Sequence, residues 1–483
     1  MKPLPGNFGA FSRLLVLGYC TRPLADAIRR SRIWSKDRFV FLDFFGDMDQ
    51  KTSVQNFSLA KDFGRGFSET DLKKTIEELT SRFGRFDGVI YNSGIENRPG
   101  LLEWLKEQGV AILGNDPDVL RASRNPDVIL PLAARHGAYV PETFAVSEGG
   151  PCRSIHSIRD SRQKSCRRWL LKPTFSAGGS GIKAVPDGSD VATDGGLGES
   201  GVKDSREAPA YVIQEYIEGI SCSAVFVADG RHTEVLGVSR QLIGDADFGG
   251  RRFAYCGNII PLDVPMGSAA EKIKRLCAGL TVDLGLKGLN CIDFILKDEG
   301  IWFLEINPRY SASMELLEAF QTPTLPLIEI HLRALGVDDG EDVDDGGDLS
   351  LPRREFEWAF PYGEGTPDRT DGTGGHRLWG AGKHVSPSYD KGLPPYYHQP
   401  RAAGKAIVYA TKEVTVPDDV PERWLARGIR DVPFPGEVIP ADSPICTVLA
   451  HVTARDAGNA GEECMRALRI KAAEVRHDLG LSE

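Results

Sequence analysis

Long apolar runs, a surplus of basic charge and paired cysteines are all missing from this 483-residue chain. No stretch approaches eighteen consecutive apolar residues, so no membrane span is expected. Lys and Arg number 58 against 68 Asp and Glu, a net charge of −10. That balance gives no electrostatic footprint for nucleic acid or an anionic membrane surface. The nine cysteines are odd in number and contain no CxxC pair. Free thiols in a reducing cytoplasm are the simplest expectation. The opening MKPLPGNFGAFSR has no long apolar core before a small-residue cleavage site, so no signal peptide is expected. The histidines show no HxxxH-type metal spacing and receive no role. GxxxxGK[ST] is absent and the first 120 residues carry no GxGxxG, so neither a P-loop nor a dinucleotide fingerprint in that region is indicated. What remains has ordinary globular composition, 41% hydrophobic and 26% charged, over a length suited to several domains.

One stretch concentrates polar chemistry, IWFLEINPRYSASME at 301–315. Glu305, Asn307 and Arg309 alternate, so an extended chain points all three to one face. Trp302, Phe303, Leu304 and Ile306 suit a buried strand, and Pro308 ends it where the polar side chains gather. Upstream, Asn290–Leu296 is a second apolar strand with one charge, Asp293. The intervening Lys297-Asp298-Glu299-Gly300 reads as a hairpin turn, which should bring Asp293 near Glu305. Two buried carboxylates and an amide oxygen form a hard-oxygen site suited to Mg²⁺, because such carboxylates are costly without a counter-ion. The competing reading is surface charge on an edge hairpin.

The first 120 residues alternate strand and helix patterns, with strands at Arg13–Gly18, Phe39–Phe44, Phe86–Tyr91 and Val110–Leu113. They read as a small doubly wound parallel α/β domain with a cleft at the strand C-termini. A helix over Asn125–Gly137 follows, then a strand at Arg168–Pro173. That strand enters Thr174–Ile182, rich in Gly and Ser, and a second short strand ends at Val185. Three glycines leave the backbone N–H groups of this loop free to approach phosphate oxygens, and Lys172 can neutralise a phosphate; a plain flexible hairpin is the alternative. Pro186–Pro209 reads as a Gly-, Asp- and Ser-rich insertion. Tyr211–Tyr216 is a strand, Ser221–Ala228 and Thr233–Arg240 an antiparallel hairpin, and Ala269–Leu284 a helix. A helix pair is expected over Glu315–Leu335. The acidic, Gly-rich Gly336–Leu349 reads as a solvated linker, lacking the closing Glu of a calcium loop. Beyond it come strands at Gly404–Ala410 and Pro444–Ala450, a loop-like Trp424–Gly436, and a final amphipathic helix over Ala457–Gly480.

Lys172-Pro173 with Ala177–Ile182, then Gln214-Glu215-Tyr216-Ile217-Glu218-Gly219, then Asp293 and Glu305-Ile306-Asn307-Pro308-Arg309, resemble in order and spacing the ATP-grasp superfamily. The match is most similar to predicted ATP-dependent carboligases related to biotin carboxylase, and it spans about 14–317. The strands around Gly436–Ala450 also resemble the accessory domain of those carboligases. The resemblance implies an α/β (α+β) ATP-grasp fold. Its expected parts are a Rossmann-like domain (1–122), a lid with the Gly-rich loop (123–218), an antiparallel core with the Mg-ATP site (219–335), an acidic linker (336–354) and a mostly β C-terminal domain (355–483).

The resemblance also implies roles. Lys172 resembles the lysine on the α- and β-phosphates, and Ser176, Gly178, Gly179, Ser180 and Gly181 the loop over the triphosphate. Glu215, Tyr216 and Ile217 resemble the hinge that bonds the adenine edge. Glu218 stands where a ribose-binding acid is often found, with Gln214 a further candidate. Asp293, Glu305 and Asn307 match Mg²⁺ ligands, and Arg309 the arginine beside the transferred phosphoryl group. Where such enzymes carry a lysine before the lid, this chain has Arg121-Ala122-Ser123-Arg124, and Arg is not equivalent to Lys. Arg240 and Asn258 lie between hinge and metal strands, where ligases place substrate groups, and are candidate anion contacts for the acceptor, with an ordinary loop polar role the equal alternative. The implied reaction is ADP-forming ligation with ATP and Mg²⁺ as cofactors: a small-molecule carboxylate is activated as an acyl phosphate and an amine or thiol displaces phosphate. Biotin-dependent carboxylation is disfavoured because no Met-Lys-Met carrier segment occurs. Relatives of this type are associated with one-carbon pathways. A nucleotide-binding sensor or scaffold without turnover is the second reading, and a homodimer is left open.

Overall fold

The computed structural model describes residues 8–146, 167–185, 211–321, 326–337, 402–453 and 459–481. The expected insertion at 186–209, nearly all of the acidic linker and the expected boundary at 355 lie outside the described residues.

The N-terminal strands are β1 (Leu14–Leu17), β2 (Phe39–Asp43), β3 (Asn56–Ser58), β4 (Gly88–Tyr91) and β5 (Ala111–Ile112). They form one parallel sheet in the order β3-β2-β1-β4-β5. The central strands β1, β2 and β4 are almost wholly apolar, as a sheet covered on both faces requires. Leu14, Val16, Phe39 and Phe41 enter one core, while Leu15, Leu17, Val40 and Leu42 enter the other. The order in which strands are added reverses between β1 and β4, which opens a crevice beyond their C-terminal ends.

The lid is a four-stranded antiparallel sheet, β6 (Thr143–Val146), β7 (Trp169–Pro173), β8 (Lys183–Val185) and β9 (Tyr211–Glu215), in the order β6-β9-β7-β8. Its own core is small, built on Trp169, Leu171 and Ile213.

The largest sheet contains β10 (Ile220–Asp229), β11 (Thr233–Ile243), β12 (Tyr255–Ile260), β13 (Lys287–Lys297) and β14 (Gly300–Asn307). Two strands from the far end of the chain extend it, β15 (Ala402–Tyr409) and β18 (Pro444–Val452), giving the order β14-β13-β10-β11-β12-β15-β18. A two-stranded ribbon, β16 (Val414–Thr415) and β17 (Val438–Ile439), lies between them in sequence. The sheet therefore continues past the point where the sequence changes texture. β12 bonds directly to β15 at Gly257↔Ala406. Gly257 has φ +140°, and a Cβ there would meet the Lys405 carbonyl oxygen at 2.0 Å, so only glycine permits this approach. The segment expected as a loop at Trp424–Gly436 begins inside a helix, Val420–Ala426, whose Trp424 is fully buried. The core around it joins residues of both chain regions, Leu242, Phe248 and Ile259 with Val408, Val448 and Leu468.

The hairpin β13–β14 turns through Asp298 and Glu299, both with positive φ (+49° and +56°). That is the geometry of the tight two-residue turn whose twist matches the strands. A register shift after Asp293 leaves an extra residue on β14 and sets Asp293 directly opposite Glu305. Because the C-terminal strands share a sheet and a core with β12, denaturant unfolding should lose the two regions in one transition. Trp424→Ala should cost about 3–5 kcal/mol and lower the midpoint for probes in both regions alike. A separate early transition confined to 402–481 would refute this.

Candidate functional site

Three backbone elements deliver the acidic centre. β13 carries Asp293, β14 carries Glu305 and Asn307, and Pro308 ends the strand so that Arg309 turns back towards it. Asn307 Nδ2 donates to Asp293 Oδ2 (2.9 Å) and Glu305 Oε1 (3.4 Å). The Asp293 and Glu305 carboxyl groups lie within hydrogen-bonding reach of each other. Burial first, and the Glu305 charge second, raise the Asp293 pKa. Burial also works to raise Glu305, but Arg124, Lys172, Asn307 and Arg309 outweigh it and hold that group below its ordinary value. Two carboxylates this close need a shared proton or a cation between them. The donor set, two carboxylates and an amide, fits a hard divalent ion such as Mg²⁺ once the Asn307 amide presents its oxygen.

Cations ring this centre. Lys172 leaves the lid on β7, and its Nζ donates to Gln214 Oε1 at 3.0 Å. Burial lowers the Lys172 pKa, against the raising effect of Glu305 and Asp293. Arg309 Nη2 donates to Asn307 Oδ1 (3.2 Å), and Arg124 Nη2 reaches the same oxygen (3.3 Å). Of the two arginines in the stretch where the resemblance expects a lysine, Arg121 and Arg124, it is Arg124 that faces this centre. Arg121 is half exposed and pairs with Glu103 and Asp118.

Glu96, at the C-terminal edge of the parallel sheet, is fully buried and holds both arginines through Oε1. Arg309 Nη2 lies 2.7 Å away and Arg124 Nη2 3.2 Å away. The two guanidinium groups keep the Glu96 carboxyl below its ordinary range despite burial. In sequence, Glu96 stood in a polar loop after a strand with nothing to distinguish it. Gln241 was likewise missed as an individual residue, and its Nε2 donates to Asp293 Oδ1 at 2.9 Å. Its neighbour Arg240, a candidate either for an anion or for an ordinary loop contact, pairs with Asp263 at 3.2 Å. Asn258 is also used internally, donating from Nδ2 to Ser223 and Ser239 Oγ.

The glycine loop reaches over the site. Gly178, Gly179 and Gly181 all have positive φ (+62°, +76° and +76°). The Gly178 carbonyl accepts from Tyr255 N–H at 3.0 Å, and a Cβ on Gly179 would strike the Phe253 carbonyl oxygen at 1.8 Å. Ser176 contributes its carbonyl to Asn97 Nδ2 at 3.5 Å, and Ser180 N–H bonds within the loop to Ala177. The loop thus touches both the N-terminal domain and the core. The hinge residues lie at the lid's other end. Glu215 and Tyr216 donate their backbone N–H groups to the Glu142 and Arg168 carbonyls, both at 2.8 Å. Tyr216 also lies under the Arg168 guanidinium, Ile217 is buried, and Glu218 is exposed and pairs with Arg168 at 3.3 Å.

Residues 151–313 match the family described as the ATP-grasp domain. An uncharacterized protein of Methanocaldococcus jannaschii is 24% identical over 329 residues, 67% of this chain and 74% of that protein. Biotin carboxylase of Campylobacter jejuni, solved with β,γ-ATP, is 11% identical with TM-score 0.58, covering 95% of this chain and 94% of that one. L-amino acid ligase of Bacillus licheniformis is 12% identical with TM-score 0.56, covering 96% and 98%. At such identities the likeness is one of fold. Family match, sheet topology and overall fold agree: residues 151–313 match the ATP-grasp domain, and the chain has an ATP-grasp fold.

Proposed function

We propose that this protein is an ADP-forming ligase that activates a small-molecule carboxylate and passes its acyl group to an amine or thiol. The carrying observation is the convergence of Asp293, Glu305 and Asn307 with Lys172, Arg124 and Arg309 beneath the glycine loop. Bound MgATP would supply the phosphoryl group that converts the carboxylate to an acyl phosphate. Asp293, Glu305 and Asn307 would hold the metal, and Lys172 with the backbone of Ser176, Gly178, Gly179, Ser180 and Gly181 would hold the phosphates. Since the Glu215 and Tyr216 N–H groups are already bonded, the adenine edge would meet Ile217, with Gln214 and Glu218 flanking it. Arg309, fixed by Glu96, would stabilise charge that develops on the transferred group and its acceptor. The docked loop would exclude water, which an acyl phosphate requires. The two likenesses reported above, to a carboxylase and to an amino acid ligase, support a carboxyl-group reaction. A one-carbon pathway rests on the family resemblance alone.

Screening amino acids and small carboxylates for Mg²⁺-dependent ADP formation tests this reading. Glu305→Ala should abolish turnover with every acceptor, and surviving activity would refute the metal assignment; a sensor would bind ATP but release no ADP with any of them. Gly179→Ala should lower kcat about 10²-fold or more, the scale of losing preorganised donors, because the loop can no longer dock against Phe253. Unchanged kcat would remove the loop from catalysis. Glu96→Gln should destabilise the fold by about 3–5 kcal/mol, as when one partner of a buried ion pair is lost. It should also lower kcat more than it weakens ATP binding, read by calorimetric unfolding and single-turnover kinetics. An unshifted unfolding midpoint would show that Glu96 does not anchor the two arginines.

A further inference from the structure

A second charged cluster lies away from the nucleotide site, where the loops after β1 and β2 meet the segment after helix Val420–Ala426. Cys20, Asp47 and Asp431 each offer one ligand atom there, all within 4.8 Å of one another. Cys20 Sγ is 3.4 Å from Asp431 Oδ1. Most neighbours of the cluster are matched. Arg22 donates to Asp431 (Nε–Oδ1 2.7 Å, Nη2–Oδ2 3.1 Å) and pairs with Glu315, which also takes Lys405 at 2.8 Å. Asp43 accepts from Thr21 and Gly46, and Asp49 from the Asp431 and Val432 N–H groups.

Asp47 is the exception. It is 7% exposed, yet among the described residues no donor reaches its carboxylate. It precedes the helix Met48–Lys51 as its N-cap residue, but its side chain makes no capping bond and aims at Cys20 and Asp431 instead. Of the nearby cations, Arg22 and Lys405 are engaged by Asp431 and Glu315, and Lys61, whose charge acts on Asp47, is paired with Glu437 at 2.8 Å. A buried carboxylate that accepts no hydrogen bond and shares its nearest cation with another acid is costly, and a bound metal ion removes that cost.

We propose that Cys20, Asp47 and Asp431 form a second metal site that takes a divalent transition metal of borderline softness, such as zinc. One sulfur and two oxygens suit that class better than Mg²⁺ or Ca²⁺. Ligand atoms around one such ion stand roughly 3–4 Å apart, and those of the cluster, all within 4.8 Å, need close in only slightly. On binding, the Cys20 S–H bond gives its proton to solvent and the sulfur bonds the metal; nothing is oxidised or reduced. The site would tie the N-terminal domain to the C-terminal segment at Asp431.

Cobalt(II) is the probe. Chelator-treated full-length protein in excess Mg²⁺ should take up one equivalent and show a thiolate-to-cobalt charge-transfer band that zinc abolishes. Cys20→Ser should remove the band. Asp47→Asn should weaken binding by at least about tenfold, the loss that even outer-shell changes bring. Glu305→Ala should leave band and affinity unchanged, which separates this site from the nucleotide centre. Absence of the band in the unmutated protein, equal affinity in Asp47→Asn, or loss of the band in Glu305→Ala would each overturn the proposal. So would stabilisation of the unmutated protein, but not of Asp47→Asn, by a small alkyl diamine without any cobalt band, since the carboxylate would then serve an organic ammonium.

Discussion

Two like charges forced together on adjoining strands set the terms for the active half of this molecule. Asp293 and Glu305 face each other across the β13–β14 hairpin because the turn is tight and one extra residue on β14 corrects the register. In a buried setting that contact is unfavourable unless positive charge surrounds it. The chain provides such charge from three separate regions: Lys172 from the lid, Arg124 from the N-terminal side and Arg309 from just past the strand itself. Convergence of these groups holds lid, N-terminal domain and core around one point.

Glu96 extends this logic. Two arginines beside each other would repel, and both contact Asn307. A fully buried carboxylate between them balances the pair and fixes their direction. The parallel sheet thereby does more than cover the core: the loop at the C-terminal end of β4 places the anion that orients the cations. The same edge of that sheet supplies Arg22, whose bonds to Glu315 and Asp431 tie the N-terminal domain to the helix after β14 and to the C-terminal segment. Neighbouring loops of one sheet thus serve two charged centres, one ringed by arginine and lysine, the other left with an unmatched carboxylate at Asp47.

Much of the first centre was legible in the chain. Alternation of Glu305, Asn307 and Arg309 between apolar residues, and a lone Asp293 in an otherwise apolar strand, forecast a shared face, and a turn of the right length forecast their meeting. The parallel domain, the β10–β11 hairpin and the helices at 269–284 and 460–478 followed from periodicity in the same way. Other parts were not legible. Glu96, Gln241 and the choice of Arg124 over Arg121 depend on contacts between residues far apart in sequence, for which local pattern carries no signal. Arg240 and Asn258 looked like anion contacts because both are polar and lie between the expected motifs; the fold instead satisfies each within the core sheet and its loops.

The sequence by itself determined the period of most strands and helices and the alternation that sets Glu305, Asn307 and Arg309 on one face. These are local matters, set by side-chain alternation and backbone sterics. Only the tertiary structure decided that β15 and β18 close onto β12, that a buried Glu96 joins two arginines, and that Asp47 is left without a donor. Each of those outcomes depends on which distant surfaces exclude water together, and burial rather than residue type is what makes a charge demand a partner.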